Sequence, residues 1–412
     1  MVVYRKQFLL LFVILATAGI IITRRPDIIA NAVPWAEDGA VWLSQAHNIG
    51  ISSIFMPQDG YMQTISRISY IAGVFFGIDN APLVATVIAI ALRCLMCAFF
   101  ISERFNFISV RLRFLLVIYF MLMPNIEEGF VNITNAQWYL SLYAIGVLIA
   151  NAPSSKSWKT HDVIILLISG LSGPFALFLA PCLFFKYAIP SLKLRSFKNL
   201  INYEVLIIAF CFIVQASALL AGFDNRSKAP LGASITLLAD IFAMRMLFGS
   251  FFDTSLTTFV VESHIINISS LIIYLVIIAC LFYKGDWKTK SLISFGVLMM
   301  ASSLYRPMMT LESEQWPAFL LPGAGERYFF ITNFLFICSI VYSLNTFCKL
   351  NDKSIIIIIS LLCLPVAYTF RMNDIDAPDY KQEILKYNSA AKGDTVSIKI
   401  APRGWDMKLI KK

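Results

Sequence analysis

Apolar runs about as long as a bilayer is thick recur along almost the whole chain. A helix needs roughly 20 apolar residues to cross the ~30 Å hydrocarbon core, and most of the runs approach that length. The runs are continuous and do not alternate apolar with polar residues, which predicts helices and excludes a barrel. Hydrophobic residues are 58% of the 412 residues and charged residues only 14%, a balance that no soluble core requires. The sequence therefore predicts an all-α polytopic membrane protein.

About eleven membrane segments are predicted from the apolar runs and the charges that separate them. The first run follows Arg5 and Lys6, and no small-residue cleavage site precedes Arg24, so we expect a retained helix and not a removed signal peptide. The predicted segments cover 8–23, 82–101, 112–123, 137–151, 163–173, 175–190, 203–221, 265–283, 290–305, 328–347 and 354–370.

The fifth and sixth segments are separated only by Ser169 to Pro174, a glycine- and proline-containing break. This break is compatible with one kinked helix or with a hairpin of two short helices. Lysines and arginines gather in cytoplasmic loops, and a single helix would place the basic stretch from Lys186 to Lys198 outside. Charge therefore favours the hairpin.

With the hairpin, the inward loops are short and basic and most acids lie outward. The amino terminus is then cytoplasmic and the carboxyl terminus periplasmic, as in a multi-pass protein of the bacterial inner membrane. The net charge of +9 follows from this inward bias, with affinity for anionic membrane lipids as a by-product. It requires no nucleic-acid partner.

Cysteines and histidines indicate neither disulfides nor a zinc site. The eight cysteines lie in or beside apolar runs, and Cys94 and Cys97 have a CxxC spacing in the middle of a predicted helix, where packing is the expected role. His47, His161 and His264 are scattered without ligand spacing. No cofactor is expected, and the sequence leaves dependence on a divalent metal open.

Long outward loops are where a catalytic or binding surface is expected. We divide the chain into a transmembrane domain, 1–370, and a short periplasmic tail, 371–412. The long periplasmic loops within the domain are 24–81, 222–264 and 305–327.

The first of these loops contains an acidic pair, Glu37 and Asp38, before a helix-like stretch from Ala40 to Asn48. One interpretation makes Asp38 the N-cap of that helix. The other makes it a general base that takes the proton of an attacking sugar hydroxyl. Glu37 is expected to support Asp38 or to bind a hydroxyl.

A second acidic pair precedes amides and a tryptophan, the side chains with which proteins bind sugar hydroxyls and stack on sugar rings. The alternative is a solvated loop with an interfacial tryptophan. The residues are Glu127, Glu128, Asn132, Asn135, Gln137 and Trp138.

Arginines at the outer ends of predicted helices are candidates to bind a phosphate. Arg327 is expected at headgroup level, where a guanidinium can grip phosphate oxygens, and Arg306 is a second candidate. The alternative for Arg327 is an interfacial anchor or an ion pair with Glu326. Arg93 lies deep inside a predicted helix, where it must snorkel or bind a carbonyl. In the stretch from Ser234 to Phe252, Asp240 and Arg245 are expected to pair on a helix lying along the membrane.

These features together resemble the GT-C glycosyltransferases, and within them the serotype-converting glucosyltransferases that modify O-antigen. The resemblance rests on the first helix, the long outward loop with its acidic motif, about ten further helices and a short outward tail. The motifs are Trp35-Ala36-Glu37-Asp38-Gly39, Asp59-Gly60-Tyr61 with Arg67, Asn135-Ala136-Gln137-Trp138, the stretch from Gly170 to Pro181, Gly325-Glu326-Arg327-Tyr328-Phe329 and Ala401-Pro402-Arg403-Gly404-Trp405.

The resemblance implies transfer of a hexose, with inversion, from a polyprenyl-phosphate sugar, for which we expect undecaprenyl-phosphate glucose. The implied acceptor is a lipid-linked or surface polysaccharide such as the O-antigen of lipopolysaccharide. Asp38 would be the base and Glu37 its support. The implied donor-phosphate residues are Arg327, Arg306 and Arg67. The implied sugar and acceptor residues are Asp59, Tyr61, Glu127, Glu128, Asn135, Gln137, Trp138, Glu326 and Tyr328.

Two other functions compete with glycosyl transfer. A transporter or flippase of a lipid-linked sugar predicts internal repeats and broken helices with midplane charges, of which only Arg93 and the Gly-Pro break are present. A polysaccharide polymerase or ligase would also use outward arginines but has less need of the acidic motif. A purely structural membrane protein does not explain the outward clustering of acids, amides and aromatic residues.

Overall fold

The computed structural model describes residues 2–221 and 227–412, with the side chains of residues 2–6, 197 and 199 left aside. Arg226 and the first residues of the predicted 222–264 loop therefore lie outside the described residues. The longer helices are α1 (Val2–Arg24), α2 (Thr64–Phe75), α3 (Ala81–Ile101), α4 (Val110–Leu122), α5 (Ala136–Ile149), α6 (Lys156–Gly170), α7 (Phe175–Lys193), α8 (Tyr203–Leu220), α9 (Ile235–Ile241), α10 (His264–Lys284), α11 (Trp287–Tyr305), α12 (Phe330–Thr346), α13 (Asp352–Leu362) and α14 (Tyr380–Ser389).

Short helical turns connect these elements and build most of the outer loops. Two of them contain wide, π-type turns, Asp38–Leu43 and Phe242–Phe248, and the second continues α9 without a break. The others are Asp27–Ala30, Ser44–Asn48, Gly50–Phe55, Glu103–Phe105, Phe197–Leu200, Thr254–Leu256, Thr258–Glu262, Gln315–Ala318, Glu326–Tyr328 and Leu364–Thr369.

A helix lies within each predicted membrane segment. In the described part of the chain, five helices are both long and apolar enough to cross a bilayer, and they are α1, α3, α7, α8 and α10. The chain is therefore a mainly helical, multi-pass membrane protein. Eleven crossings remain a prediction, because the other apolar helices are shorter or less apolar. Helix α2 was not predicted, and it packs on α3 inside the first long loop.

The break at Ser172 to Pro174 separates two helices that run back along each other. Asp162, near the start of α6, accepts a hydrogen bond from the Tyr203 hydroxyl at 3.4 Å. Lys186, in the last turns of α7, donates to Glu204 at 2.6 Å. Both contacts are with the start of α8, so the chain must turn between them. The hairpin prediction is correct.

Charged groups predicted for the same side of the membrane gather at the same end of the bundle. At one end Arg104 binds Asp162 at 2.8 Å, with both side chains buried. At the other end Arg24 donates to the carbonyl oxygens of Met121 at 2.7 Å and Phe370 at 3.0 Å. Which end faces the cytoplasm remains a prediction from charge.

Buried arginines hold backbone carbonyls at the outer part of the fold. Arg93 donates to the Phe130 carbonyl at 2.5 Å and is surrounded by aromatic rings, so of the two alternatives it takes the carbonyl. The predicted Asp240–Arg245 ion pair is absent. Asp240 binds His264 at 2.9 Å, whereas Arg245 donates to loop carbonyls, since its helix is packed inside the protein.

The tail folds into α14 and a two-stranded antiparallel hairpin, β1 (Thr395–Ile400) and β2 (Trp405–Ile410). Alternate apolar side chains of the hairpin are buried, as a half-exposed sheet requires. The residue after β1, Ala401, donates to the Pro34 carbonyl at 3.1 Å and accepts from the Ala36 amide at 2.5 Å. The hairpin thus adds a short strand to the residues that precede Glu37 and Asp38.

Candidate active site

The carboxyl group of Asp38 is buried and is held by a residue from another part of the chain. Asp38 is 4% exposed, and its Oδ1 accepts hydrogen bonds from the Thr134 hydroxyl at 2.5 Å and the Thr134 amide at 3.0 Å. Asp38 lies inside the first turn of its helix and does not cap it, because Glu37 occupies the position before the helix and no side chain caps it. The N-cap interpretation is therefore wrong.

Burial changes the acidity of this carboxyl group. Removal from water raises the pKa of Asp38 to about 7, although the hydrogen bonds from Thr134 act in the opposite direction. A carboxyl group that titrates near neutral pH is suited to accept a proton in one step of a reaction and release it afterwards. A carboxyl group with this acidity therefore lies at the position where the acidic motif predicts a base.

The neighbours of Thr134 connect Asp38 to the second acidic pair. Asn135 Nδ2 donates to the Glu128 carbonyl oxygen at 3.2 Å, and Asn132 Nδ2 donates to the same oxygen at 2.6 Å. The two amides thus fold the loop that carries Glu128. Asn135 was predicted to bind sugar, and in the structure its Nδ2 group holds this loop.

Arg327 forms an ion pair with Glu128, not with Glu326 as one alternative predicted. Its second terminal nitrogen donates to the Met308 carbonyl at 3.2 Å and to the Tyr328 hydroxyl at 3.4 Å. The turn before it needs a glycine: Gly325 has φ of +66°, and a Cβ there would lie 2.6 Å from the Met309 sulfur.

Nearby acids raise the pKa of Arg327 above its ordinary value, so it stays charged. Burial alone would lower the pKa, but Tyr328, Glu37 and Tyr61 outweigh that effect. This places Glu37 and Tyr61 within electrostatic range of the guanidinium. The acidic motif, the Asp59 to Tyr61 turn and the Gly325 to Tyr328 segment are thus brought together.

Glu326 is a buried acid at the same place. It is 6% exposed and accepts a hydrogen bond from the Glu128 amide at 3.2 Å. Burial, with the charge of Glu127, raises the pKa of Glu326 to about 8, so this carboxyl group is mostly neutral at pH 7. Arg327 is therefore the cation of this segment, and Glu326 does not neutralise it.

An open pocket of about 470 Å³ lies at this end of the molecule. Its wall is formed by Trp35 near the first acidic pair, by the second acidic pair itself, and by residues 373–376 at the start of the tail. Asp38 is not part of the lining, but Trp35, three residues earlier, is. The charged and polar lining residues include Arg25, Glu127, Glu128, Glu326, Arg327, Asn373, Asp374 and Asp376.

Trp138 and Gln137 lie beside the Arg327 segment without lining this pocket. The Trp138 ring makes edge contacts with Tyr328, at 5.7 Å between centroids, and with Phe175. Its indole Nε1 is buried and has no hydrogen-bond partner among the described residues. Gln137 is buried against Gly173, where a Cβ would lie 2.4 Å from its Oε1.

Three further predicted residues have distinct locations. Arg67 is buried behind the site, where it donates to Gln45 Oε1 at 2.6 Å and lies 4.8 Å from the ring centre of Trp42. Asp59 occupies a tight turn with φ of +50°, which brings Tyr61 back against Gln58. Arg306 is exposed just after α11, two residues before the Met308 that binds Arg327.

A second cavity of about 930 Å³ lies between α10, α11 and α12 and is mostly apolar. One end is formed by Leu304, Tyr305 and Trp316, next to Arg306. The other end, formed by Phe107 and Lys288, lies toward the opposite face of the bundle. The cavity thus runs nearly the length of α11.

Two residues of the site were missed from the sequence. Thr134 lies between predicted residues, and its role becomes visible only when the two loops meet. Trp42, whose Nε1 donates to Thr134 Oγ1 at 2.7 Å, lies one helical turn after Asp38. That spacing was the available signal. Among the described residues, no group of three or more His, Cys, Asp or Glu side chains is arranged to hold a metal ion.

The architecture is a mainly helical bundle with a polar site at one end. No family model and no curated protein matches the sequence. The fold matches the solved structure of the oligosaccharyltransferase of Archaeoglobus fulgidus in complex with Zn and sulfate, with a TM-score of 0.50 over 92% of this chain and 56% of that chain. This chain therefore spans just over half the length of that protein. The identity is 11%, so the likeness is one of fold.

Proposed function

We propose that this protein is a glycosyltransferase that moves a hexose, expected to be glucose, from a polyprenyl-phosphate donor to a lipid-linked or surface polysaccharide such as O-antigen. The observation that carries the proposal is a buried carboxyl group connected, through Thr134, Asn135 and Glu128, to Arg327. The match of the fold to an oligosaccharyltransferase structure supports it. The reaction would take place at the periplasmic face of the bacterial inner membrane.

The proposed reaction is a single displacement at the anomeric carbon. Asp38 removes the proton from an acceptor hydroxyl as its oxygen forms the new bond to that carbon. The bond from the carbon to the phosphate oxygen breaks at the same time, and its electron pair leaves with the polyprenyl phosphate. Attack opposite to the leaving group inverts the configuration. Glu37, adjacent to the base, is suited to bind an acceptor hydroxyl.

Arg327 is the proposed site for the donor phosphate. A phosphate leaving group needs stabilisation of its negative charge more than a proton. Arg327 is already held at the pocket by Glu128, Met308 and Tyr328, so a phosphate would exchange with Glu128 for the guanidinium. Arg306 is close enough in sequence to Met308 to assist from the lipid surface.

The apolar cavity beside α11 suits the isoprenoid chain of such a donor. Its outer end at Tyr305 directly precedes Arg306, so a lipid whose chain fills the cavity would carry its phosphate toward the two arginines. Its 930 Å³ is apolar along most of the wall, as a hydrocarbon chain requires. The opposite pocket wall, formed by carboxylates and tail residues 373–376, is available for the hydroxyls of an acceptor.

Sugar transfer by the purified protein tests the proposal. The assay supplies undecaprenyl-phosphate glucose with a lipopolysaccharide-core or repeat-unit acceptor. Mass spectrometry then detects an acceptor whose mass has increased by one hexose. Asp38→Asn keeps the shape of the side chain but accepts no proton, so transfer should fall by at least 10²-fold while the protein remains folded and inserted.

Two results would contradict the proposal. One is transfer by Asp38→Asn at the parent rate, which would remove the assigned base. The other is an unchanged surface polysaccharide in host cells with and without the gene, together with movement of the labelled donor across vesicles. That second result would favour the flippase alternative, since a flippase moves the lipid without forming a glycosidic bond.

A further inference from the structure

We propose that Thr134 is a positioning residue that fixes which oxygen of Asp38 accepts the proton and at what pH, and that Trp42 locks Thr134 into this role. The inference deepens the proposed function and rests on it for the assignment of Asp38 as the base. The contacts themselves are independent of that assignment.

The direction of the hydrogen bonds is fixed by the indole. Trp42 Nε1 is only a donor, and it lies 2.7 Å from Thr134 Oγ1. Thr134 Oγ1 therefore accepts from Trp42, and its own proton points to Asp38 Oδ1, 2.5 Å away. The Thr134 amide donates to the same oxygen at 3.0 Å. Oδ1 is thus occupied by two donors.

An oxygen that receives two hydrogen bonds is a poor site for a third proton. The proton that Asp38 takes from an acceptor would therefore go to Oδ2. The chain of hydrogen bonds from Trp42 through Thr134 to Asp38, here called the relay, thus defines the side from which the hydroxyl must approach. All three side chains are buried, at 1% exposed for Trp42, 4% for Asp38 and 8% for Thr134. Hydrogen bonds to a buried charge are stronger than those at a surface.

The ionisable groups that face Asp38 do not supply a compensating charge. Glu37 is adjacent in the chain, and Tyr70 from α2 and Tyr139 from α5 lie within electrostatic range. Each of these groups is an acid. Arg67 lies over the Trp42 ring and donates to Gln45. Thr134 is therefore the main group that stabilises the ionised form of Asp38.

Replacement of Thr134 tests the relay with a matched series. Thr134→Val removes the hydroxyl and keeps the shape and the backbone amide, whereas Thr134→Ser keeps the hydroxyl. Thr257→Val is the control, because Thr257 is also buried and its hydroxyl binds only the nearby Thr254 carbonyl, at 3.2 Å. Infrared titration of the carboxyl stretch, assigned by difference with Asp38→Asn, reports the ionisation of Asp38 without any turnover.

The hydroxyl lowers the pKa of Asp38, so its loss must raise it. We expect Thr134→Val to raise the titration midpoint by about one pH unit or more, since one unit corresponds to the strength of a single charge-assisted hydrogen bond. The acidic limb of kcat/KM should move by the same amount to higher pH, while KM for the donor stays within twofold. Thr134→Ser should restore both values, and Thr257→Val should change neither.

Trp42→Phe distinguishes the contribution of the indole donor from that of the Thr134 hydroxyl. Without the Nε1 donor, the Thr134 hydroxyl is free to turn and accept a hydrogen bond from neutral Asp38, so the midpoint should rise, but by less than in Thr134→Val. The variant keeps an aromatic ring at the position that contacts Arg67.

The inference is overturned if the midpoint in Thr134→Val is unchanged, or if Thr134→Ser behaves like Thr134→Val. Failure of the proposed function gives a different pattern, because a parent protein that transfers no sugar would still show the infrared shift. A misfolded Thr134→Val would be recognised by loss of its thermal transition, and Thr134→Ser with Trp42→Phe would then decide the question.

Discussion

Asn135 Nδ2 donates a 3.2 Å hydrogen bond to the carbonyl oxygen of Glu128, and this bond joins two halves of the site that are far apart in the sequence. Thr134, the preceding residue, binds Asp38, while the side chain of Glu128 binds Arg327. The loop that precedes α5 thus fixes the position of the proposed base relative to the proposed phosphate site. A substitution that moves this loop is therefore expected to displace both Asp38 and Arg327.

The activity of the parent protein should fall on acidification below pH 7. Asp38 must be ionised to accept a proton, and its pKa is about 7, so kcat/KM should drop about tenfold for each pH unit well below that value. A pH–rate profile measured with undecaprenyl-phosphate glucose checks this. A flat profile between pH 5 and pH 7 would contradict it.

Asp38→Asn should stabilise the fold at alkaline pH. The folded state raises the pKa of Asp38 from 3.8 to about 7, so it favours the protonated form, and stability is lost as the pH rises from the unfolded to the folded value. A neutral amide avoids this loss, whose upper limit is roughly 4 kcal/mol above pH 7. Thermal unfolding at pH 5 and pH 8 should show an advantage for the variant that grows with pH. An advantage that shrinks with pH would refute the sign.

Arg327→Lys should retain part of the activity that Arg327→Ala loses. Lysine keeps the charge but not the two-pronged geometry with which Arg327 binds Glu128 and Met308 and would bind a phosphate in place of Glu128. We expect a loss in kcat/KM of about 10-fold for Lys and 10²–10³-fold for Ala, with a raised KM for the donor.

Glu128→Gln serves as the matched control for these variants. It weakens the ion pair without removing the guanidinium, so donor KM should fall or stay unchanged. A large rise in donor KM in Glu128→Gln would show that the ion pair, and not the free arginine, is what the donor requires.

Gly39→Ala should impair transfer by displacing the tail. A Cβ on Gly39 would lie 2.6 Å from Ile400 Cδ1, closer than such atoms approach, with further tight contacts at 3.0 Å to Pro34 Cβ and 3.2 Å to Ile400 Cγ2. The clash lies one residue after Asp38, so a loss of about 10-fold in kcat/KM is expected from a small misplacement. Ile400→Ala in the same chain removes the two Ile400 atoms, including the closest one, while Pro34 stays, and should recover part of that activity. Equal loss in the single and double variants would exclude the contact as the cause.

Arg245→Gln should weaken donor binding although Arg245 is remote from the reacting atoms. Arg245 donates to the carbonyl oxygens of Phe319, Leu321 and Ala324 at 2.5–2.7 Å, which fixes the loop entering the Gly325 turn. A glutamine reaches fewer of these carbonyls, so donor KM should rise about 10-fold while the acidic limb of the pH profile stays in place. A shifted limb with unchanged KM would contradict this role.

Ala301→Trp should discriminate between donors by chain length. Ala301 lines the apolar cavity, and an indole there would occupy the space proposed for the isoprenoid chain. KM should rise about 10-fold for the undecaprenyl donor and little for a short-chain analogue. Ala279→Trp, on an exposed face of α10 outside the cavity lining, is the control. Equal effects on both donors would place the chain elsewhere.

Much of the helical framework could be predicted because it depends on local composition. Apolar length predicted a helix in each segment, and the basic stretch from Lys186 correctly favoured the hairpin at Ser172 to Pro174. Composition did not predict α2, because Thr64–Phe75 mixes buried polar groups such as Arg67 with apolar residues and packs on α3 within the protein.

Side-chain partners were predicted less well, because they depend on contacts between distant segments. The general-base role of Asp38 stays a prediction. Its capping alternative failed, because Asp38 lies within the helix and takes its hydrogen bonds from Thr134, far along the chain. The Asp240–Arg245 pair failed for the same reason, since His264 and Asn267 on α10 lie closer to Asp240. Asn135, chosen for its amide, holds the Glu128 loop. Proximity in sequence was a poor guide in each case.

The short strand that Ala401 forms with Pro34 and Ala36 has a consequence for biosynthesis. A ribosome makes the acidic motif early and this strand only after the intervening helices have entered the bilayer, at about 5–20 residues per second. The nascent chain would therefore spend tens of seconds before Ala401 could pair with the residues that precede the motif. These contacts of the acidic motif are therefore among the last that the growing chain can form, and a chain truncated before Ala401 would lack them.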